Sequence, residues 1–353
     1  IVEDILTYEE GCFIDGRAGT GKSVIIRKLN KILDERDLNY VNLAPTNKAS
    51  RNINGQTIHK FFAIGRNNKT INLKKLMKLK KLDYVFIDEI SMVSSNLLRF
   101  LHLSKMTNPN IKIICVGDSW QLAPVKEKKH TNTYCLKYLC DFNKINLSVN
   151  KRFDKKLRNI AEKWYLTGKI DLLHFSGKYN KVERFLTYTN KKRKEINAEM
   201  MLKKRRIKKC LELKINMNFE DTNEIENTVS QNLILNIGMP IIARKNNLKF
   251  GICNNDEYKI VNFNKRFKTI TINNKEKEEY TYDEFQEHFL PAYGITIHKS
   301  QGQTYDKPYM ICEINKIMKC QESRSLLYVA LTRARDKKLI RIEKTDIRIE
   351  KTE

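Results

Sequence analysis

Gly16-Arg-Ala-Gly-Thr-Gly-Lys-Ser23 is the stretch from which the fold can be read. It has the form GxxxxGKS. A short apolar run, Cys12 to Asp15, precedes it and reads as a strand. Behind it, Ser23 to Leu38 carries apolar residues at 25, 26, 29, 32 and 33, the stripe of an amphipathic helix. Strand, glycine-rich turn and helix in that order are what a phosphate-binding loop requires. Glycines tolerate positive φ and let the backbone approach closely. Successive N–H groups can then wrap phosphates at a helix N-terminus. Gly16, Ala18, Gly19, Thr20, Gly21, Lys22 and Ser23 are therefore expected to hold a nucleotide, with Lys22 reaching the β and γ phosphates and Ser23 ligating Mg²⁺.

Working outward, Val85-Phe-Ile-Asp-Glu89 is an apolar strand that ends in two carboxylates. In an open parallel sheet that end lies on the edge where ligands bind. Asp88 is expected to hold Mg²⁺, and Glu89 to orient and deprotonate the attacking water. Val116-Gly-Asp-Ser-Trp-Gln-Leu122 ends the next strand. Gln121 can sense a γ-phosphate, since an amide both donates and accepts. Trp120 is either a base-stacking platform or a strut against the sheet.

The first 150 residues alternate strands (Tyr40 to Leu43, Tyr84 to Ile87, Ile111 to Val116) with helices (Thr46 to Ile53, Asn96 to Met106). That βαβ succession predicts a parallel sheet covered on both faces. Residues 154 to 175 look helical, Arg184 to Tyr188 a strand, and 190 to 213 a basic helix. From about 233 to 287 short alternating runs separated by Asn, Lys and Gly predict a small antiparallel module. The βα style returns with helices at His298 to Gln301 and Ser325 to Arg335 and strands at Tyr309 to Glu313 and Lys338 to Ile342.

Lys and Arg number 67 against 41 Asp and Glu, a net charge of +26. A surplus of that size points to a polyanion. No apolar run approaches the roughly 18 residues a membrane helix needs, so nucleic acid is the expected partner. The hydrophobic share of 41% suffices for a core and rules out wholesale disorder. Eight cysteines include no CxxC pair, which argues for reduced core thiols over zinc.

These motifs resemble those of the superfamily 1 helicases, and further stretches extend the resemblance. Ala44-Pro-Thr-Asn-Lys-Ala49 resembles motif Ia, and Gly55-Gln-Thr-Ile-His-Lys60 the TIH segment of the superfamily 1B helicases. Asn150-Lys-Arg-Phe153 resembles motif IV, Tyr293 to Gly302 (YGITIHKSQG) motif V, and Tyr328-Val-Ala-Leu-Thr-Arg-Ala334 motif VI. TIH, ITIHKSQG and GDxxQL together are most similar to the Pif family, with the RecD family second. The resemblance runs in order from residue 11 to about 342 and is weak in the β module.

It implies two RecA-like domains with ATP and Mg²⁺ in the cleft between them. Residues 1–150 would be the first domain, 151–230 with 288–353 the second, and 231–287 an inserted barrel-like β module. It implies an ATP-dependent helicase that moves 5′ to 3′ on single-stranded DNA and opens duplex or fork DNA in replication, repair or recombination. A monomeric motor working inside the cell at DNA is expected; nucleus, mitochondrion and viral replication site are all compatible. Lys22, Asp88, Glu89 and Gln121 would be joined in catalysis by Arg152 and Arg333, which match the arginines that reach the γ-phosphate, with Gly302 beside the nucleotide. Arg335 competes for the Arg333 role. Thr46, Asn47, His59, Thr296, His298, Lys299 and Ser300 would contact DNA phosphates, and Phe61, Phe62 or Trp120 could stack on bases. Core packing is the competing reading for both phenylalanines.

Two departures stand out. The family carries a glutamine-containing motif upstream of the phosphate loop that reads adenine. No Gln precedes residue 56 here, and with Ile at position 1 the chain is expected to be a fragment lacking that motif. Cys253-Asn-Asn-Asp256 stands where relatives have an Asn-Gly turn; Asn accepts the left-handed region, so a turn is still expected. The basic runs Lys74 to Lys81, Lys191 to Lys194 and Lys203 to Lys209 form either a track for DNA or solvated helix faces. Two rival readings are a P-loop ATPase or nucleotide kinase that never unwinds, and a catalytically idle nucleic-acid-binding module.

Overall fold

A computed structural model describes residues 2–64, 79–124, 137–175, 182–205, 210–214 and 231–343. The chain divides into two compact units, Ile1–Phe153 and Asp154–Glu353.

In the first unit the strands are β1 (Gly11–Gly16), β2 (Tyr40–Ala44), β3 (Gln56–Thr57), β4 (Tyr84–Ile87), β5 (Lys112–Gly117) and β6 (Lys144–Leu147). The helices are α1 (Val2–Thr7), α2 (Lys22–Glu35), α3 (Asn47–Asn52), α4 (Ile58–Phe62) and α5 (Ser95–Thr107). The strands form one parallel sheet in the order β3-β2-β4-β5-β1-β6. A parallel sheet covered on both faces needs nearly continuous apolar strands, and every residue of β1 and β4 is buried. The period of two sends alternate residues to two separate cores. Cys12, Ile14, Phe86, Ile114 and Val116 pack with Ile26, Leu29 and Leu33 of α2. Phe13, Val85, Ile87, Ile113 and Cys115 pack with Leu97, Leu98 and Leu101 of α5. Because the strands run parallel, Gly16, Ile87 and Gly117 all end at one edge, and the residues after them are the predicted site.

In the second unit the strands are β7 (Arg184–Thr187), β8 (Cys210–Leu213), β9 (Leu233–Asn236), β10 (Pro240–Ala243), β11 (Glu257–Asn264), β12 (Thr269–Ile272), β13 (Glu279–Thr281), β14 (Phe289–Pro291), β15 (Gly294–Thr296), β16 (Tyr309–Ile311) and β17 (Ile340–Ile342). The helices are α6 (Lys155–Thr167), α7 (Asn190–Arg205), α8 (Tyr282–His288), α9 (Ile314–Lys319) and α10 (Ser323–Leu331). A parallel sheet, β15-β7-β16-β17, stands beside an antiparallel one, β13-β12-β11-β10-β14. The antiparallel sheet has its own core of Ile241, Ile260, Ile270, Tyr280, Phe285 and Phe289. Asn255 sits at φ 68° and the Asp256 N–H donates to the Cys253 carbonyl at 3.0 Å, the turn expected at that point.

Three expectations need correction. The helix read over 190–213 ends at Arg205, and Cys210–Leu213 is a strand paired antiparallel with Leu233–Asn236. Its Leu211 and Leu213 point to the core while Glu212 is exposed, a strand's alternation hidden behind a lysine run. His298–Ser300 is a single 3₁₀ turn, too short for a helix. The last helix stops at Leu331, so Arg333 and Arg335 lie beyond it. Residues 74–78 and 206–209 of the basic runs lie outside the described residues.

Candidate nucleotide-binding site

The loop after β1 is folded by its own backbone. Thr20 donates to the Arg17 carbonyl through N–H (3.2 Å) and through its hydroxyl (2.8 Å). Gly19 and Gly21 sit at φ 84° and 88°, where a side chain would strain the loop. A Cβ on Gly19 would lie 2.8 Å from the Arg152 Cβ; one on Gly21 would meet no described atom within 4 Å, which leaves an open cradle. Lys22 begins α2 and is buried; its ammonium donates to the carbonyls of Gly16 at 2.7 Å and Arg17 at 3.2 Å. The charge is thus held at the loop, on neutral acceptors that an anion would outcompete.

Asp88 reaches the same place from β4. The Ser23 hydroxyl donates to Asp88 Oδ2 at 3.1 Å, and the Glu89 N–H to Oδ1 at 2.9 Å. Burial raises the Asp88 carboxyl above the usual carboxylate range, against the pull of the Lys22 charge and these two hydrogen bonds. Two hard oxygens side by side suit Mg²⁺, which is bound by one or two carboxylates together with substrate phosphates. Glu89 stands at φ 51°, a strained conformation for a residue with a side chain and of a kind that clusters at functional sites.

From β5, Asp118 has no exposed surface, and Gln121 is 4% exposed. The Gln121 amide donates to Asp118 Oδ2 at 3.3 Å. The Arg17 guanidinium lies 3.6 Å from the Trp120 ring centroid, so a cation covers one face of the indole. Asn150 clasps the loop through its amide on the Ala18 carbonyl (2.8 Å), and the Lys151 N–H donates to the Gly19 carbonyl at 3.0 Å. That clasp places exposed Arg152 beside the loop. Asp15, Arg17, Asp118 and Asn150 join the site beside the expected residues. Asp15 and Asp118 had a signal: two acids at the ends of what prove to be neighbouring strands.

The other predicted residues divide. Thr46 caps α3, its hydroxyl accepting from the Ala49 N–H, and Asn47 opens the helix. His59 is half-buried on α4. Phe62 is fully buried against Phe61 and Phe100, so it is a core residue; Phe61 keeps partial exposure. In the second unit Thr296 accepts from the Lys299 N–H at 3.4 Å. Ser300 has no exposed surface and donates to the Ile297 carbonyl, which removes it as a phosphate contact. Burial lowers the His298 imidazole, against the charge of Glu322. Burial, followed by the charges of Arg193 and Arg244, brings the Lys299 ammonium down to about 8. Gly302 takes φ 75°.

Arg333 departs most from expectation. It is 4% exposed, and all three guanidinium nitrogens are committed. They donate to the carbonyls of Val329 (2.9 Å), Ser300 (3.3 Å) and Gln303 (3.1 Å) and to the Thr332 hydroxyl (3.2 Å). It ties the segment after α10 to the turn after β15. Arg335 is exposed and pairs with Asp306 at 3.6 Å.

Comparison with known proteins places this geometry. A model of the AAA domain matches residues 1–183, and one of the UvrD-like helicase C-terminal domain matches 291–340. The chain is 30% identical to the ATP-dependent DNA helicase Pif1 of Campylobacter jejuni, over 98% of its own length and 91% of that protein's. It belongs to the Pif1 helicase family. The Pif1 of Bdellovibrio bacteriovorus is 26% identical over 95% of the chain and 84% of its own. Among solved structures, Bacteroides Pif1 bound to ssDNA covers 98% of the chain with 90% of its own, at TM-score 0.69 and 20% identity. Candida albicans Pif1 covers 98% with 93% of its own, at TM-score 0.68 and 21% identity. The fold is therefore the RecA-like one of Pif1 helicases.

Proposed function

We infer that the chain is an ATP-dependent DNA helicase that moves 5′ to 3′ on single-stranded DNA and opens duplex ahead of it, inside the cell. The observation that carries this is the convergence of Lys22, the Ser23–Asp88 pair and strained Glu89 at one sheet edge. It stands in a chain that matches a Pif1 helicase along 98% of its length. In the corresponding domain reading, 1–150 is the first RecA-like domain, 151–230 with 288–353 the second, and 231–287 the inserted β module.

In this reading the phosphates of ATP lie in the cradle at Gly21, and Lys22 exchanges two carbonyl acceptors for phosphate oxygens. Ser23 and Asp88 would hold Mg²⁺, which when bound offsets charge on the phosphates. Glu89 takes the proton of the attacking water, and Gln121 contacts the γ-phosphate. Arg152, beside the loop, is the arginine that neutralises transferred charge. Thr46, Asn47, His59, Phe61, Thr296, His298 and Lys299 contact DNA, mainly at its phosphates, which fixes position without reading sequence.

Strand separation on tailed duplexes tests this reading. ATP-dependent opening of a 5′-tailed substrate, with a 3′-tailed one left closed, is expected. ATP turnover with neither substrate opened would favour the non-unwinding ATPase.

A further inference from the structure

Residue 17 faces two ways. Its carbonyl holds the phosphate loop, accepting from Thr20 and from the Lys22 ammonium. Its guanidinium reaches Ser119 Oγ at 3.0 Å, Asp118 Oδ1 at 3.4 Å and Asp15 Oδ1 at 3.5 Å, and lies over the Trp120 ring. Asp118 receives the Trp120 N–H on Oδ1 at 3.0 Å and the Gln121 amide on Oδ2 at 3.3 Å. Two contacts therefore join the loop to the amide group of Gln121.

The support behind this relay is itself built. Asp15 is 4% exposed and accepts from the Ser119 N–H (3.0 Å) and hydroxyl (2.8 Å) and pairs with Lys144 at 3.0 Å. Burial raises its carboxyl, but the hydrogen bonds of Ser119 and Lys144 and the charge of Arg17 bring it below the ordinary value, so it is ionised at neutral pH. Buried carboxylates of this kind are a poor source of stability, whereas a fully satisfied polar network holds one geometry. Arginine suits the position because a planar guanidinium can donate to oxygens and stack on an indole together.

We propose that Arg17 is a positioning residue for hydrolysis: through Asp118 its guanidinium sets the Gln121 amide. The proposal rests on the reading of this loop as the ATP site. Loop N–H groups and Lys22 survive replacement of the side chain, so nucleotide affinity depends little on it. The orientation of Gln121 does depend on it, and a small misplacement at a reacting centre is costly.

Steady-state hydrolysis over a range of ATP concentrations, with saturating single-stranded DNA, separates the two. Arg17→Ala is expected to lower kcat by about ten- to hundredfold with KM changed less than about threefold. Arg17→Lys is expected to fall nearly as far, since an ammonium is a point charge that cannot lie flat on the Trp120 ring while its nitrogen donates to Ser119 and Asp118. It also carries the test if Arg17→Ala does not fold, as judged by melting temperature. A folded Arg17→Lys with kcat within about twofold of the unaltered chain, or a loss confined to KM, overturns the proposal. No turnover by the unaltered chain would instead refute the ATP-site reading, and the proposal with it.

Discussion

The motif-bearing regions of the two units treat their polar groups in opposite ways. At the loop after β1 they surround a space: the cradle at Gly21 is open, and Lys22 rests on two carbonyls that it can leave. Around β15 and α10 they consume one another. Arg333 uses all three nitrogens, and Ser300 donates to its own turn. Both regions carry residues that the sequence marks for chemistry. A site made by the backbone keeps its meaning from spacing alone, whereas a side chain's role depends on what it meets.

The sharpest break would come from Glu89. Glu89→Gln is expected to cut turnover by about 10²–10⁴ while ATP still binds, since a general base contributes on that scale. Turnover within about tenfold, with nucleotide titration unchanged, would mean that the open region does not hold its chemistry where its geometry suggests.

Arg333→Ala tests the closed region. Removing the guanidinium takes a buried donor from the carbonyls of Val329, Ser300 and Gln303, although the Thr332 hydroxyl still serves Val329 and the Gln303 N–H still serves Ser300, so denaturant unfolding should reveal a loss of about 2 kcal/mol. Arg335→Ala, which removes an exposed pair, should cost less than about 0.5 kcal/mol. Equal stability of Arg333→Ala and the unaltered chain, with turnover lost, would show that Arg333 works on nucleotide and that the contrast between the regions is wrong.

The smallest effect concerns Lys299. Its folded value, about 8, lies below the ordinary 10.5, with burial and the neighbouring Arg193 and Arg244 charges as causes. The ammonium is therefore charged below pH 8 and neutral above it, so a phosphate contact through it weakens as pH rises through 8. Affinity for single-stranded DNA should drop a few-fold from pH 7 to 9, with the log–log salt slope falling by about one. Lys299→Met should flatten that pH dependence; an unchanged profile would take Lys299 off the DNA.

Much of this was legible because parallel strands buried on both faces are short apolar runs, and their ends carry the chemistry. Tyr84–Ile87 and the Asp88-Glu89 that follows could be placed from the sequence. What escaped did so for physical reasons. Cys210–Leu213 pairs with residues 20 to 26 positions away, from Leu213–Leu233 to Cys210–Asn236, and a lysine run masks its alternation. Phe61 and Phe62 are adjacent on a short helix, and only packing shows which is buried. Asp15, Arg17 and Asp118 meet because β1 and β5 are neighbours in the sheet, which spacing along the chain does not reveal.

The most direct test of the motor reading is steady-state ATP hydrolysis at low salt with and without single-stranded DNA, using Lys22→Ala as the control. Strong stimulation by DNA that vanishes in Lys22→Ala, with much of the DNA binding kept, is the predicted result. Turnover indifferent to DNA, or equal in the variant, would contradict it.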